Sequence, residues 1–213
     1  MSFWSFLAHN RAQIAGLTLE HLWMVGLSTL FAVAAGIPLG ILITRKPGLH
    51  KPVIATANII QTIPSLALFG FLLPAPWIGE RAGRLAVLAL ALYALLPLIR
   101  NTYAGIRGVD RAVVEAARGM GLTDWQLLYK VELPLAASVI LAGIRVAVVI
   151  SVGLATIAAA IGAGGLGELI FRGLAMVNNT VILAGAVPAA LMALLADVLL
   201  GLLERWLAPP RAV

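Results

Sequence analysis

The chain has no cysteine, which excludes disulfides, thiolate nucleophiles and cysteine metal sites together. Charge is scarce as well. Asp, Glu, Lys and Arg make up 11% of the 213 residues, against roughly 25% in an ordinary soluble domain. The formal charge is +6 and the isoelectric point is near 10.5, yet no basic run of the kind that tracks nucleic acid occurs. No Gly-x4-Gly-Lys-Ser/Thr phosphate loop is present, so a Walker-type ATP site is excluded. The three histidines, His9, His21 and His50, lack metal-ligand spacing. No Ser-His-Asp order or paired-carboxylate site stands out, and nothing supports enzyme chemistry.

What fills the chain instead is apolar. Hydrophobic residues reach 62% and the mean hydropathy is +1.02. A soluble fold of this size lacks the interior to bury so much apolar surface, so the excess must face lipid. A bilayer core about 30 Å thick needs about 20 apolar helical residues. Five stretches qualify as spans: Leu22 to Ile43, Pro52 to Leu73, the short stretch 85–100 between Arg84 and Arg100, Leu133 to Ile161, and Thr180 to Leu203. Residues 1–20 are too polar to span and read as a short interfacial helix. The first span begins too late and runs too long for a cleaved leader, and reads as uncleaved. We read an all-α membrane protein with a single transmembrane domain over residues 1–213.

Basic residues orient the spans. With the N-terminus outside, the cytoplasmic segments hold Arg45, Lys46, Lys51, Arg100, Arg107, Arg111, Arg118, Lys130, Arg205 and Arg211. The outer segments then hold only Arg11, Arg81, Arg84 and Arg172. This excess predicts an outer N-terminus and a cytoplasmic C-terminus. Trp77 and Trp206 fall at opposite edges, as interfacial anchors do.

The longest hydrophilic segment, 101–132, is then cytoplasmic. Asp110 is placed to cap a helix that Gly119 and Gly121 end. Thr123 with Gln126 forms a capping-box pattern that opens a second helix, and Pro134 marks entry to the fourth span. Val113, Met120 and Trp125 lie among charged residues there, a pattern suited to docking a protein.

Here a resemblance enters. Glu115-Ala116-Ala117, then Gly121, then Val131-Glu132-Leu133-Pro134 resembles the EAA motif of bacterial ABC importer permeases, which usually carry isoleucine at the position of Val131. The likeness covers roughly residues 17–207. It also includes Gly36-Ile37-Pro38-Leu39-Gly40, Gln61-Thr62-Ile63-Pro64-Ser65 and Gly162-Ala163-Gly164-Gly165-Leu166-Gly167. The Gln-Thr-Ile-Pro-Ser stretch looks most like osmoprotectant permeases for glycine betaine, choline or carnitine. The resemblance implies a type I ABC importer permease fold. It implies that Glu115, Ala116, Ala117, Gly121, Leu133 and Pro134 belong to a coupling loop received by separate ATPase subunits. ATP and Mg would be held there, with no cofactor in this chain. It further implies a second permease copy or paralogue and an extracytoplasmic substrate-binding protein. The setting would be membrane lipid of a bacterial or archaeal cytoplasmic membrane. A methionine or other amino-acid permease is the alternative within the class. A passive channel or structural membrane subunit is the alternative outside it.

Three further groups remain. Asn58, Gln61, Thr62 and Ser65 sit at spacings of three, one and three and so share one face of the second span, with Pro64 as a hinge candidate. That face either lines a translocation path or packs by hydrogen bonds. Arg145 and Asp197 are the ionisable residues within spans, readable as a structural ion pair or as a gate. Gly162, Gly164 and Gly167 match Gly-x-Gly-x-x-Gly, but they follow an apolar helix rather than a strand. They suit a tight outer turn, after which 168–179 forms a partly embedded segment that helps shape an outer gate or is no more than a loop. The three tyrosines and five tryptophans lie mostly at edges or in the loop, so no aromatic cage for a quaternary ammonium is visible.

Overall fold

The computed structural model describes residues 3–74 and 82–207, and all regular structure among them is helical. A short helix α1 (Phe3–His9) is followed by α2 (Arg11–Arg45). Next come α3 (His50–Thr62), α4 (Ser65–Leu72) and α5 (Ala82–Arg107). The loop pair α6 (Arg111–Gly119) and α7 (Asp124–Leu127) precedes α8 (Leu133–Ala158), α9 (Gly167–Ala175) and α10 (Asn179–Leu207). Four helical runs are long and apolar enough to cross a membrane: α2, α5, Asp124–Ile161 and α10. The bent unit Pro47–Thr62 plus Ser65–Leu72 makes five if it counts as one span. Trp77, Arg81 and Arg211, read above as an anchor and as topology charges, lie outside the described residues.

The first twenty residues do not form a separate interfacial helix. Only Phe3–His9 stands apart, and α2 runs unbroken for 35 residues from Arg11. The polarity that argued against a span there is met in part by contacts with other segments. Glu20 Oε2 accepts the Gly165 N–H at 3.0 Å, and His21 Nε2 meets the Val152 carbonyl at 3.1 Å. Polar groups with partners no longer need water.

The second span also differs from expectation. It bends by 98° between α3 and α4. Ile63 and Pro64 are both extended, with ψ of 125° and 135°. Pro64 has no N–H to continue the ladder, and the residue before a proline avoids helical geometry. Two successive extended residues turn the chain where a mild hinge was expected.

The centre of the fold is α5, the most buried of the long helices. It lies between α2 and α8, and small residues bring the three backbones together. A Cβ on Gly40 would stand 2.5 Å from Thr102 Cβ, and one on Gly143 would stand 2.6 Å from Asn101 Cβ. Between helices in lipid such close packing replaces the hydrophobic drive that water supplies. The outer helix α10 keeps an aliphatic face, with Leu191, Leu194, Leu195, Val198, Leu199 and Leu202 exposed.

Candidate functional site

The loop between α5 and α8 is built from local signals. Asp110 Oδ1 accepts the Ala112 N–H at 2.9 Å and caps α6. The helix closes with Gly121 at φ +85°. Its N–H donates to the Arg118 carbonyl at 2.9 Å, and the Leu122 N–H donates to the Ala117 carbonyl at 3.2 Å. These two bonds define a Schellman motif, whose left-handed position glycine occupies without steric cost. Nothing lies within 4 Å of a Cβ built on Gly121. The backbone, not space, calls for glycine there.

Thr123 then opens α7 with a complete capping box. Thr123 N–H donates to Gln126 Oε1 at 3.0 Å, and Gln126 N–H donates to Thr123 Oγ1 at 3.3 Å. The structure departs from the expected separate second helix. After one turn α7 widens into a π-helical turn, Leu128–Glu132, and runs straight into α8. The Leu133 N–H donates to the Leu128 carbonyl five residues back. Pro134 sits in the first turn of α8, where its missing N–H costs little. The widened turn and the proline together replace the break that the sequence suggested.

The motif residues occupy different faces. Glu115 and Ala116 are exposed while Ala117 is buried. Leu133 packs against a cluster of Ile106, Leu128, Ala136 and Ile140, and Pro134 is exposed. Val113, Met120 and Trp125 project as large exposed apolar side chains. An Arg118–Asp124 pair at 3.5 Å bridges α6 and α7. Both partners are exposed, so it adds little.

The sequence did not single out the charged contact behind this loop. Arg45, the last residue of α2, forms a bidentate pair with Glu132. Nη1 donates to Oε1 at 3.1 Å, and Nη2 donates to Oε2. The Glu132 side chain is 6% exposed. Its only sequence signal was its place inside the Val-Glu-Leu-Pro quartet. Both residues border a cavity of about 1010 Å³, shared with Pro38, Arg107, Glu115 and Trp125.

The bend in the second span separates the four polar residues assigned there to one face. Gln61 Nε2 donates to the Tyr93 carbonyl at 2.9 Å. Asn58 Oδ1 accepts from Arg100 Nη2 at 2.8 Å. Thr62 Oγ1 donates to the Ile59 carbonyl within its own helix at 2.7 Å. Ser65 opens α4 beyond the bend. The Tyr93 hydroxyl donates to the Ile63 carbonyl. Tyr93 therefore holds the bend by two bonds from one residue, a role its sequence context did not announce.

Arg145 meets two acids, not one. Its Nε lies 3.1 Å from Asp197 Oδ1, and its Nη1 lies 3.0 Å from Glu204 Oε2. Gly201 makes room: a Cβ there would stand 2.9 Å from Nη1. The guanidinium lies across α10 between carboxylates seven residues apart, which share one helix face. At the opposite end of the bundle, Gly162, Gly164 and Gly165 take positive φ and form the tight turn expected there. It leads into α9, which packs on α10 through buried Leu169 and Gly173.

A family model described as binding-protein-dependent transport system inner membrane component matches residues 36–210. The chain is 52% identical over 191 residues to the carnitine transport permease protein OpuCD of Listeria monocytogenes serotype 1/2a, covering 89% of this chain and 84% of that protein. It is 49% identical to the glycine betaine/carnitine/choline transport system permease protein OpuCD of Bacillus subtilis, covering 89% and 82%. The osmoprotectant import permease protein OsmW of Salmonella typhimurium is 44% identical, with 96% of each chain covered. Among solved structures, the inward-facing MetNI methionine ABC transporter superposes with a TM-score of 0.82 at 25% identity, covering 90% of this chain and 94% of that one.

Proposed function

The chain belongs to the binding-protein-dependent transport system inner membrane components, the permeases of ABC importers, and from that premise we propose how it works and what it carries. The substrate is a small quaternary-amine osmoprotectant: glycine betaine, choline or carnitine. Support comes from relatives named for these compounds at 42–52% identity over most of the chain. The chain is a non-catalytic pathway subunit of the cytoplasmic membrane of a bacterium or archaeon. Two copies, or one copy with a paralogue, enclose the path. An extracytoplasmic binding protein delivers substrate and carries the high-affinity site. ATPase subunits, which hold ATP and Mg, dock from the cytoplasm on residues 110–131.

The observation that carries the coupling assignment is the construction of that loop. A capped, Schellman-closed α6 and a boxed α7 present Glu115 beside exposed Val113, Met120 and Trp125. The pair is fused to α8 through a continuous helical run. A rigid docking element joined to a long span is what transmission of force across a membrane requires. Closure of the ATPase dimer draws the two coupling elements together and opens the path outward, and hydrolysis resets it by alternating access. The Arg145–Asp197–Glu204 cluster supports a structural clasp between α8 and α10, since each carboxylate is already committed to the guanidinium.

The test is reconstitution in lipid vesicles of this chain with its ATPase and binding protein. The expected outcome is ATP-dependent uptake of labelled glycine betaine, choline or carnitine, competed by the others and not by methionine. Glu115→Lys leaves the chain in the membrane and abolishes ATP-driven uptake. Uptake without ATP, or competition by methionine alone, overturns the proposal.

A further inference from the structure

Glu132 is a buried carboxylate with one cationic partner among the described residues. That partner lies 87 residues away in the chain and on another long helix. The pair stands where three elements meet: the cytoplasmic end of α2, the end of α5, and the turn that joins the coupling pair to α8. Leu128 of that turn is buried with Ile106, Ala136 and Ile140, and Ile37 and Ile41 of α2 pack on the same cluster. Beyond the cluster the packing stops. The cavity of about 1010 Å³ opens there, with Thr44 of α2 on one wall and Val114, Glu115 and Trp125 of the coupling pair on another. Side chains across a void of this size cannot pass a displacement by contact.

A bidentate guanidinium–carboxylate pair can. It fixes both distance and orientation, because two parallel hydrogen bonds hold two planar groups in register. It closes at the end of the π-helical turn, the one place in the Asp124–Ile161 run where the ladder is already widened. π turns are rare, interrupt the regular ladder locally and recur at functional sites. Without a brace there, a push on α6 and α7 would be absorbed in that turn.

We propose that the Arg45–Glu132 pair is a strut that makes α2 move with the coupling pair during transport. Arg45 and Glu132 are positioning residues, and they touch neither substrate nor nucleotide. The inference rests on the reading that residues 110–131 receive the ATPase.

The test uses the complete reconstituted complex with Glu132→Gln, Arg45→Gln and the exchange R45E/E132R. The single variants are expected to recruit the ATPase and hydrolyse ATP near the unaltered rate. Uptake per ATP should fall about tenfold, a loss of the size that allosteric couplings carry. The exchange should recover several-fold of it. A pair that only stabilised the fold would lower hydrolysis and uptake together. Unchanged uptake per ATP in both single variants overturns the strut. A second measurement stands if a variant fails to assemble. Because the chain lacks cysteine, spin labels at K46C and K130C in one copy, assembled with partner subunits stripped of cysteine, report on the end of α2 and the turn. Their distance should be the same in nucleotide-free and ATP-bound complexes, and a change in the otherwise unaltered complex overturns the proposal. Failure of the unaltered chain to recruit any ATPase is a different result, which overturns the coupling assignment and takes the strut with it.

Discussion

At the scale of single residues, the loop between α5 and α8 depends on backbone geometry more than on contacts. Gly121 has open space around it but a φ of +85°. A side chain there costs roughly 1–2 kcal/mol in left-handed geometry, least for asparagine, which tolerates that region. We expect Gly121→Asn to retain more ATPase binding and uptake than Gly121→Ala, and Gly121→Val the least. An order set by side-chain volume without regard to asparagine would refute the backbone argument. Glu132 and Glu204 teach the complementary lesson. Glu132 stood in the quoted Val-Glu-Leu-Pro stretch and Glu204 was not singled out, and the sequence disclosed the partner of neither. Arg45 lies 87 residues from Glu132 and Arg145 lies 59 from Glu204. The pairings were fixed by helix packing.

At the scale of elements, caps and turns followed the sequence closely while breaks did not. The Asp110 cap and the Thr123–Gln126 box stand where their spacing placed them. Such motifs are settled within four residues and need no tertiary help. Prolines behaved according to their surroundings. Pro38, Pro97 and Pro188 lie inside continuous helices, whereas Pro64 accompanies a 98° bend. The Tyr93 carbonyl, freed by Pro97, accepts from Gln61, and that helix stays continuous. At Pro64 the preceding Ile63 is itself extended, and its carbonyl receives the Tyr93 hydroxyl. Tyr93→Phe should therefore loosen the bend at a cost of about 1–3 kcal/mol, the penalty for an unpaired carbonyl away from water. Faster hydrogen exchange over residues 61–68 with little change elsewhere would register it. Unchanged exchange there would show that the bend holds without the hydroxyl.

At the scale of the whole molecule, charge and exposure together describe an incomplete object. α5 is buried on most sides while α10 is open along an aliphatic face. Asp197 remains half exposed on α10, 50% by side chain. Lipid covers aliphatic residues readily and a carboxylate poorly, so the Arg145 guanidinium on the neighbouring helix is what compensates Asp197. The basic excess at Arg45, Lys46, Arg107, Arg111 and Arg118 around the α5–α8 loop is the basis on which the positive-inside rule predicts a cytoplasmic setting for that end. A reporter fused to the C-terminus should accordingly work only as a cytoplasmic one. Periplasmic activity at that end would invert the topology and remove the loop from reach of any ATPase.

Amino-acid order alone determined the helical class, the apolar stretches, the capped helix pair between α5 and α8 and the kind of protein to which these belong. Those properties follow from composition, from run length against bilayer thickness, and from motifs only a few residues long. Tertiary structure decided the rest. It joined residues 11–21 to the first span, since Glu20 and His21 found partners on other segments. It turned the second span through 98° around Tyr93. It committed Arg145 to two acids and Arg45 to Glu132. The physical reason is common to all four: a polar group in an apolar medium must be paired, and which distant group reaches it depends on how the helices pack.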